Sequence, residues 1–190
     1  MSKCIVVARY NEDVSWTKQF PNVLIYNKGT ELNNGYNEFF LNNVGREGHT
    51  YYKYICDNYD NLSDYTIFLQ GRPFDHSPNI ISNIYKYIDN QELNIDFEFL
   101  SEWIIDSSLN DERSRYQHCI NIHKTWEYVF GETIDDKQII FGAGAQFIVS
   151  KNKILKHTKE FYENIVNILG YTVDPFEGYD VERFHREIFM

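Results

Sequence analysis

Five short stretches of this sequence set arginine, carboxylate, amide or imidazole groups beside small residues, at places where an apolar run ends or a helix begins. The first, Ala8-Arg9-Tyr10-Asn11-Glu12-Asp13, leaves the run Lys3 to Arg9. Arg9 has the donor fork that suits a phosphate, and Asn11 can read a base or a ribose. A plain polar turn is the alternative. The second is Asn43-Val44-Gly45-Arg46-Glu47-Gly48-His49. Glycines around an arginine at a helix start suit an anion, because helix N-terminal amides and the helix dipole both favour negative charge. A solvated Arg46–Glu47 pair on an ordinary helix start is the alternative. Neither a Walker loop nor a dinucleotide fingerprint has this glycine spacing.

The third stretch, Gln70-Gly71-Arg72-Pro73-Phe74-Asp75-His76, follows an apolar strand directly. Arg72 would meet a phosphate, while Asp75 and His76 would meet a divalent ion, although two ligands make a poor metal site. Otherwise Asp75 and Ser77 cap the next helix. In the fourth, Gly142-Ala143-Gly144-Ala145-Gln146, small residues let a ligand or a backbone approach closely. It fits the floor of a sugar pocket with Gln146 as a hydrogen-bonding group, or a bulge in a packed strand. The fifth runs from Glu177 to His185. Val181, Phe184 and Ile188 face a core at helical spacing, and Glu182 and His185 share a neighbouring face. Glu182 is a candidate general base there, against the alternative of a solvated carboxylate. His118, His123 and His157 show no ligand spacing, and Glu112-Arg113-Ser114-Arg115 reads as a solvated loop.

The elements that must carry these groups can be read from periodicity. Apolar runs at 3–9, 22–26 and 64–69 predict buried strands. Tyr51, Ile55 and Tyr59 predict a helix after the second motif. Ser77-Pro78 starts another, with Ile80, Ile81, Ile84, Tyr85 and Ile88 as its buried stripe. Residues 31–45 read as polar chain, 97–105 leave strand and loop open, and 106–122 read as surface loop. Trp126, Val129 and Phe130 mark a short helix closed by Gly131. Residues 138–150 predict one strand with a glycine kink, and Ser150 caps one helix running to Gly170. A last helix covers 179–189. Strands alternating with helices predict a single α/β domain over residues 1–190, with a central, mostly parallel sheet flanked by helices. Ligands of such sheets bind outside the carboxyl ends of the strands, where the first, third and fourth motifs, after Arg9, Leu69 and Phe141, are expected to stand.

Bulk properties narrow the classes. The chain has 190 residues, 43% hydrophobic and 17% aromatic, enough for one packed core. A net charge of −10 speaks against general nucleic-acid binding, although a few arginines in a cleft still focus positive potential. Cys4, Cys56 and Cys119 form no CxxC pair and no zinc spacing, so reduced structural cysteines are expected. The N-terminal apolar run is too short for a signal peptide, and no stretch approaches the ~20 apolar residues of a membrane span. The expectation is a cytoplasmic protein, in the host cytoplasm if viral.

In order, VVARYNED, NVGREGHTY, DNLSDYTIFLQGRPFDH, GAGAQFIVS and VERFHREIF resemble a family of small proteins from large DNA viruses, fungi and other eukaryotes. That family is known as a domain of unknown function and regarded as similar to glycosyltransferases of the GT-A fold. The resemblance covers about residues 5 to 189. It implies a GT-A-like sheet and transfer of a sugar from a nucleotide-sugar donor to a glycan or protein acceptor. By resemblance, Arg9 and Asn11 match the nucleotide loop and Arg46 reaches donor groups; from their own motifs, Gln70 and Arg72 are further donor candidates, and Gly144 and Gln146 acceptor candidates. Glu182 is the acceptor-side base, with Asp75 a second catalytic carboxylate. The family's Asp-x-Asp metal motif is replaced by Gln70-Gly71-Arg72. Either Asp75 with His76 or His185 holds Mn²⁺ or Mg²⁺, or arginines neutralise the diphosphate. A non-catalytic carbohydrate- or nucleotide-binding module and a metal-assisted hydrolase using Asp75, His76 and Glu182 are the alternatives.

Overall fold

The computed structural model describes residues 1–33, 35–111 and 121–190. The Glu112–Arg115 charge run, His118 and Cys119 lie outside the described residues. In chain order the strands are β1 (Lys3–Arg9), β2 (Val23–Asn27), β3 (Glu38–Phe40), β4 (Tyr65–Gln70), β5 (Phe97–Phe99), β6 (Ile104–Ser108), β7 (Gln138–Gly142) and β8 (Phe147–Ser150). The helices are α1 (Arg46–Asn58), α2 (Ile80–Ile88), α3 (Ile122–Phe130), α4 (Lys151–Ile154), α5 (Lys159–Leu169) and α6 (Phe176–Phe189). Short 3₁₀ turns occupy Ser15–Gln19, Tyr59–Asn61 and Pro73–Asp75.

A six-stranded sheet runs β3-β2-β1-β4-β8-β5. The pairs from β3 to β4 are parallel, and β8 is antiparallel to both β4 and β5. Strand β1 is central and covered on both faces, which is why it reads as a continuous apolar run. Its alternate residues divide between two cores. Cys4, Val6 and Ala8 join the aromatic core with Tyr51, Phe68, Phe147, Phe184 and Phe189, beneath α1, α5 and α6. Ile5 and Val7 join a smaller aliphatic core with Ile67, Leu69, Ile80 and Ile84, beneath α2. From β1 the chain steps outward to β2 and β3, then returns to β4 on the other side of β1. The switch point therefore lies between the carboxyl ends of β1 and β4.

Several elements depart from the expectation. Residues Glu38–Phe40 add the edge strand β3. The 106–122 loop gives up its start to β6, which pairs with β7 in a separate two-stranded sheet. The glycine stretch is a turn between β7 and β8 in different sheets, not a kink within one strand. The helix expected from Ser150 to Gly170 is two. Ser150 caps α4 through Lys153 N–H, and Thr158 restarts the chain as α5 through Phe161 N–H. Helix α2 begins at Ile80, after the Ser77-Pro78-Asn79 turn. Cys4 and Cys56 are buried and free, and burial pushes both thiols up to about 11. Among the described residues no helix is long and apolar enough to cross a membrane.

Candidate functional site

A cleft of ≈ 700 Å³ opens at the switch point. Four wall segments converge on it. The end of β1 brings Arg9, Tyr10 and Glu12, and the residue after β2 brings Lys28. The start of α1 brings Arg46 and Glu47, and the end of β4 brings Gln70, Arg72 and Asp75. Asp174 and Tyr179, from the approach to α6 and its first turns, close the far side.

Local backbone geometry explains the α1 wall. Gly45 and Arg46 both have positive φ, 65° and 49°. A Cβ at Gly45 would lie 2.5 Å from the His49 Cβ and 2.6 Å from the Leu169 carbonyl oxygen, so only glycine fits. The Gly45 and Arg46 amides donate to the Thr172 and Val173 carbonyls at 2.8 and 3.2 Å. These two amides therefore fasten the chain before α6 rather than facing the cleft. The anion-binding capacity of this wall rests on side chains. Arg46 stacks over the Tyr179 ring at 4.3 Å and lies 3.7 Å from Glu47 and 3.5 Å from Asp174. Its guanidinium is thus oriented while its side chain stays part-exposed.

Lys28 was not singled out by sequence reasoning. It is 9% exposed, and its Nζ donates to the carbonyls of Val44, at 2.5 Å, and Arg46. Burial pulls its pKa down to about 8, against the opposing pull of Glu47. It stands directly after an apolar strand, the same positional signal that marked Arg9 and Arg72.

Arg9 and Asn11 serve the loops instead. Arg9 is 6% exposed, and its Nε donates to the Glu12 carbonyl while Nη1 donates to Asn27 Oδ1 and the Thr30 carbonyl. It ties the β1 and β2 loops into one rim. Asn11 takes φ 65°, accepts from Thr30 N–H and Oγ1–H, and is not part of the cleft lining. Tyr10, 53% exposed, is the residue this rim presents.

Glu182 has a strongly perturbed carboxyl. It lies half-buried on α6, one turn past Tyr179. Burial, reinforced by the Glu47 charge, pushes its pKa up to about 7, while Gly144 N–H, Arg183 and Arg46 pull it back. The Gly144 N–H bond to Glu182 Oε1 is 2.7 Å. Gly144 has φ +86°, and a Cβ there would lie 2.9 Å from His76 Nδ1. His76 in turn meets Trp103 edge to face at 5.3 Å. Tyr51, fully buried, feels both Glu47 and Glu182, and its phenol pKa is pushed far up, mainly by burial.

Two other expected residues turn inward. Gln146 is fully buried and donates through Nε2 to the Pro73 carbonyl at 3.0 Å, so it holds the loop after β4 and offers nothing to an acceptor. His185 is 1% exposed, packed against Tyr51, Tyr52 and Phe147, with its pKa pulled down to about 3 by burial. A solvent-inaccessible imidazole in an aromatic cage cannot join Asp75 and His76 around an ion. Asp75 itself is exposed and sits 3.4 Å from Arg72. Among the described residues no three His, Cys, Asp or Glu side chains gather where they would hold a metal. The residues present do not fit the Mn²⁺ or Mg²⁺ site that the resemblance implies.

Sheet and cleft together define an α/β domain of the open-sheet class, with a charged cleft at its switch point. Residues 5–190 match the family described as "Protein of unknown function (DUF3431)", and the chain belongs to that family. No curated protein and no solved structure matches it.

Proposed function

We propose that the protein is a GT-A-like glycosyltransferase that moves a sugar from a nucleotide-sugar donor to a glycan or protein acceptor. The observation that carries this reading is the cleft at the ends of β1 and β4, where Arg46 and Arg72 face the same space and Glu182 lies beside it. Breaking the anomeric bond builds negative charge on a diphosphate leaving group, and cations fixed in advance stabilise it most. Arg46 is fixed in this way by Tyr179, Glu47 and Asp174. The acceptor hydroxyl must lose a proton. A carboxyl with a pKa near 7 is matched to that task at neutral pH, because it is partly ionised yet basic enough to take the proton. Glu182 meets this requirement, and Gly144 N–H holds its Oε1 at 2.7 Å. Gln70 and Tyr10 complete the donor wall.

A thermal-shift screen of UDP-, GDP-, CMP- and dTDP-sugars, with and without Mn²⁺, tests the reading. A ligand that binds only the folded state raises the melting temperature with occupancy. Stabilisation by one nucleotide family, equal with and without Mn²⁺, is the expected result, followed by transfer product with a matching acceptor. Binding without product would favour a non-catalytic module. Acceptor-independent release of free sugar as the main reaction would favour a hydrolase. No shift with any donor would overturn the proposal.

A further inference from the structure

Trp103 is 59% exposed, on the bridge between β5 and β6. Indole rings are large and usually well covered, so one left open against a histidine ring is informative. Its backbone is not loose. Trp103 N–H donates to Ser101 Oγ at 3.2 Å, and its carbonyl accepts from Ala143 N–H at 3.0 Å. The ring is therefore carried on a pinned segment that is hydrogen-bonded to the β7–β8 turn. Ile104, 50% exposed, continues the apolar surface.

Contacts lead from this surface toward the cleft. Trp103 meets His76 at 5.3 Å, the His76 ring is packed on Gly144, and Gly144 N–H holds Glu182. Trp103 and His76 do not line the cleft, and the Gly144–Glu182 bond links them to α6. We propose that Trp103, with His76 at its edge, is a carbohydrate subsite on which a pyranose ring of the acceptor stacks. A pyranose has an apolar C–H face that matches an aromatic ring, and hydroxyls around its rim that need polar neighbours. Trp103 supplies the first, and His76 the second. The inference rests on the transferase reading for the word acceptor. The sugar class follows from the ring and its neighbours. It also replaces Gln146 as the acceptor contact.

The test uses the intact protein and four methyl pyranosides, of glucose, galactose, mannose and N-acetylglucosamine, in saturation-transfer NMR without donor. At least one glycoside should bind the wild type, with the protons of one ring face most strongly saturated. Trp103→Ala should weaken that binding about tenfold, a loss of roughly 1.4 kcal/mol. Trp103→Phe should restore most of it. Calorimetric affinity for UDP and GDP should be the same in all three proteins. Absence of glycoside binding to the wild type, or equal binding by Trp103→Ala, would overturn the subsite. So would a wild type that sediments as a dimer and becomes monomeric on Trp103→Ala, since the ring would then be an interface. Glycoside binding that depends on Trp103 while no nucleotide binds would leave the subsite standing and sink the transferase reading. Nucleotide binding without glycoside binding would do the reverse.

Discussion

Glu182→Gln should make the protein more stable and less active, and the stability gain should depend on pH. The carboxyl has an ordinary pKa of 4.5 in the unfolded chain and about 7 in the fold. Below pH 4.5 both states are protonated and the residue contributes no pH-dependent difference. Between 4.5 and 7 the unfolded state ionises first, so the folded state binds more protons and stability falls as pH rises. The loss levels off above pH 7 at about 3 kcal/mol, because each tenfold difference in proton affinity between the two states is worth roughly 1.4 kcal/mol. Glutamine escapes it, because a neutral amide has no ionisation to suppress, and its Oε1 can still accept from Gly144 N–H. Urea unfolding of both proteins from pH 4.5 to 8.5 measures the difference directly. The variant's advantage should be near zero at the acid end and grow to its plateau by pH 7.5. Transfer should meanwhile fall roughly a hundred- to ten-thousandfold, the usual worth of a general base. An advantage that does not change with pH would refute the buried-carboxyl argument, whatever the enzyme assay shows.

Other perturbations follow from the same geometry. Gly144→Ala forces a Cβ against His76 at φ +86°, so it should cost roughly 1–3 kcal/mol and lower activity by displacing Glu182, as read by melting and by turnover. Arg46→Ala removes the oriented cation and should weaken nucleotide binding about ten- to a hundredfold by calorimetry, the range for one charged hydrogen bond. His185 is held neutral in the fold down to about pH 3, whereas the unfolded chain takes up a proton below 6.5. Its contribution is therefore lost as pH falls, and His185→Leu should gain about 2 kcal/mol on the wild type between pH 6.5 and 5 in denaturant titrations.

The sheet was legible because β1, β2 and β4 are covered on both faces and so spell continuous apolar runs. Strand β6 was not. Ile104 and Ile105 are exposed at its start, so no alternation marks it. The short β3 hid in polar chain, because only three residues pair with β2. At the site, strand-end position pointed to Arg72 and the neighbourhood of Arg9, which line the cleft. It could not tell a side chain free to meet a ligand from one whose polar atoms are held by loops, as those of Arg9 and Gln146 are by carbonyls and that of Asn11 is by Thr30. Helical spacing placed Glu182 and His185 on adjoining faces, but only the tertiary fold decides that one of them meets the Gly144 amide and the other an aromatic cage. Lys28 and Trp103 came from the structure, since each owes its importance to partners well separated from it in the chain, Val44 and Arg46 for the one, His76 and Ala143 for the other.

That separation has a temporal consequence. Arg46 meets Asp174 across 128 positions, and the Gly45 and Arg46 amides reach the Thr172 and Val173 carbonyls. The strands β1, β2, β3 and β4 are synthesised well before those partners. During translation the parallel half of the sheet would leave the ribosome with its switch-point rim present but its α1 wall unfastened. Contacts of such long sequence separation form late in folding as well. A ribosome-stalled or truncated chain ending before residue 170 would carry every strand of the sheet but lack the Val173, Asp174 and Tyr179 wall of the cleft, so ligand binding reports on arrival of that segment rather than on synthesis of the strands.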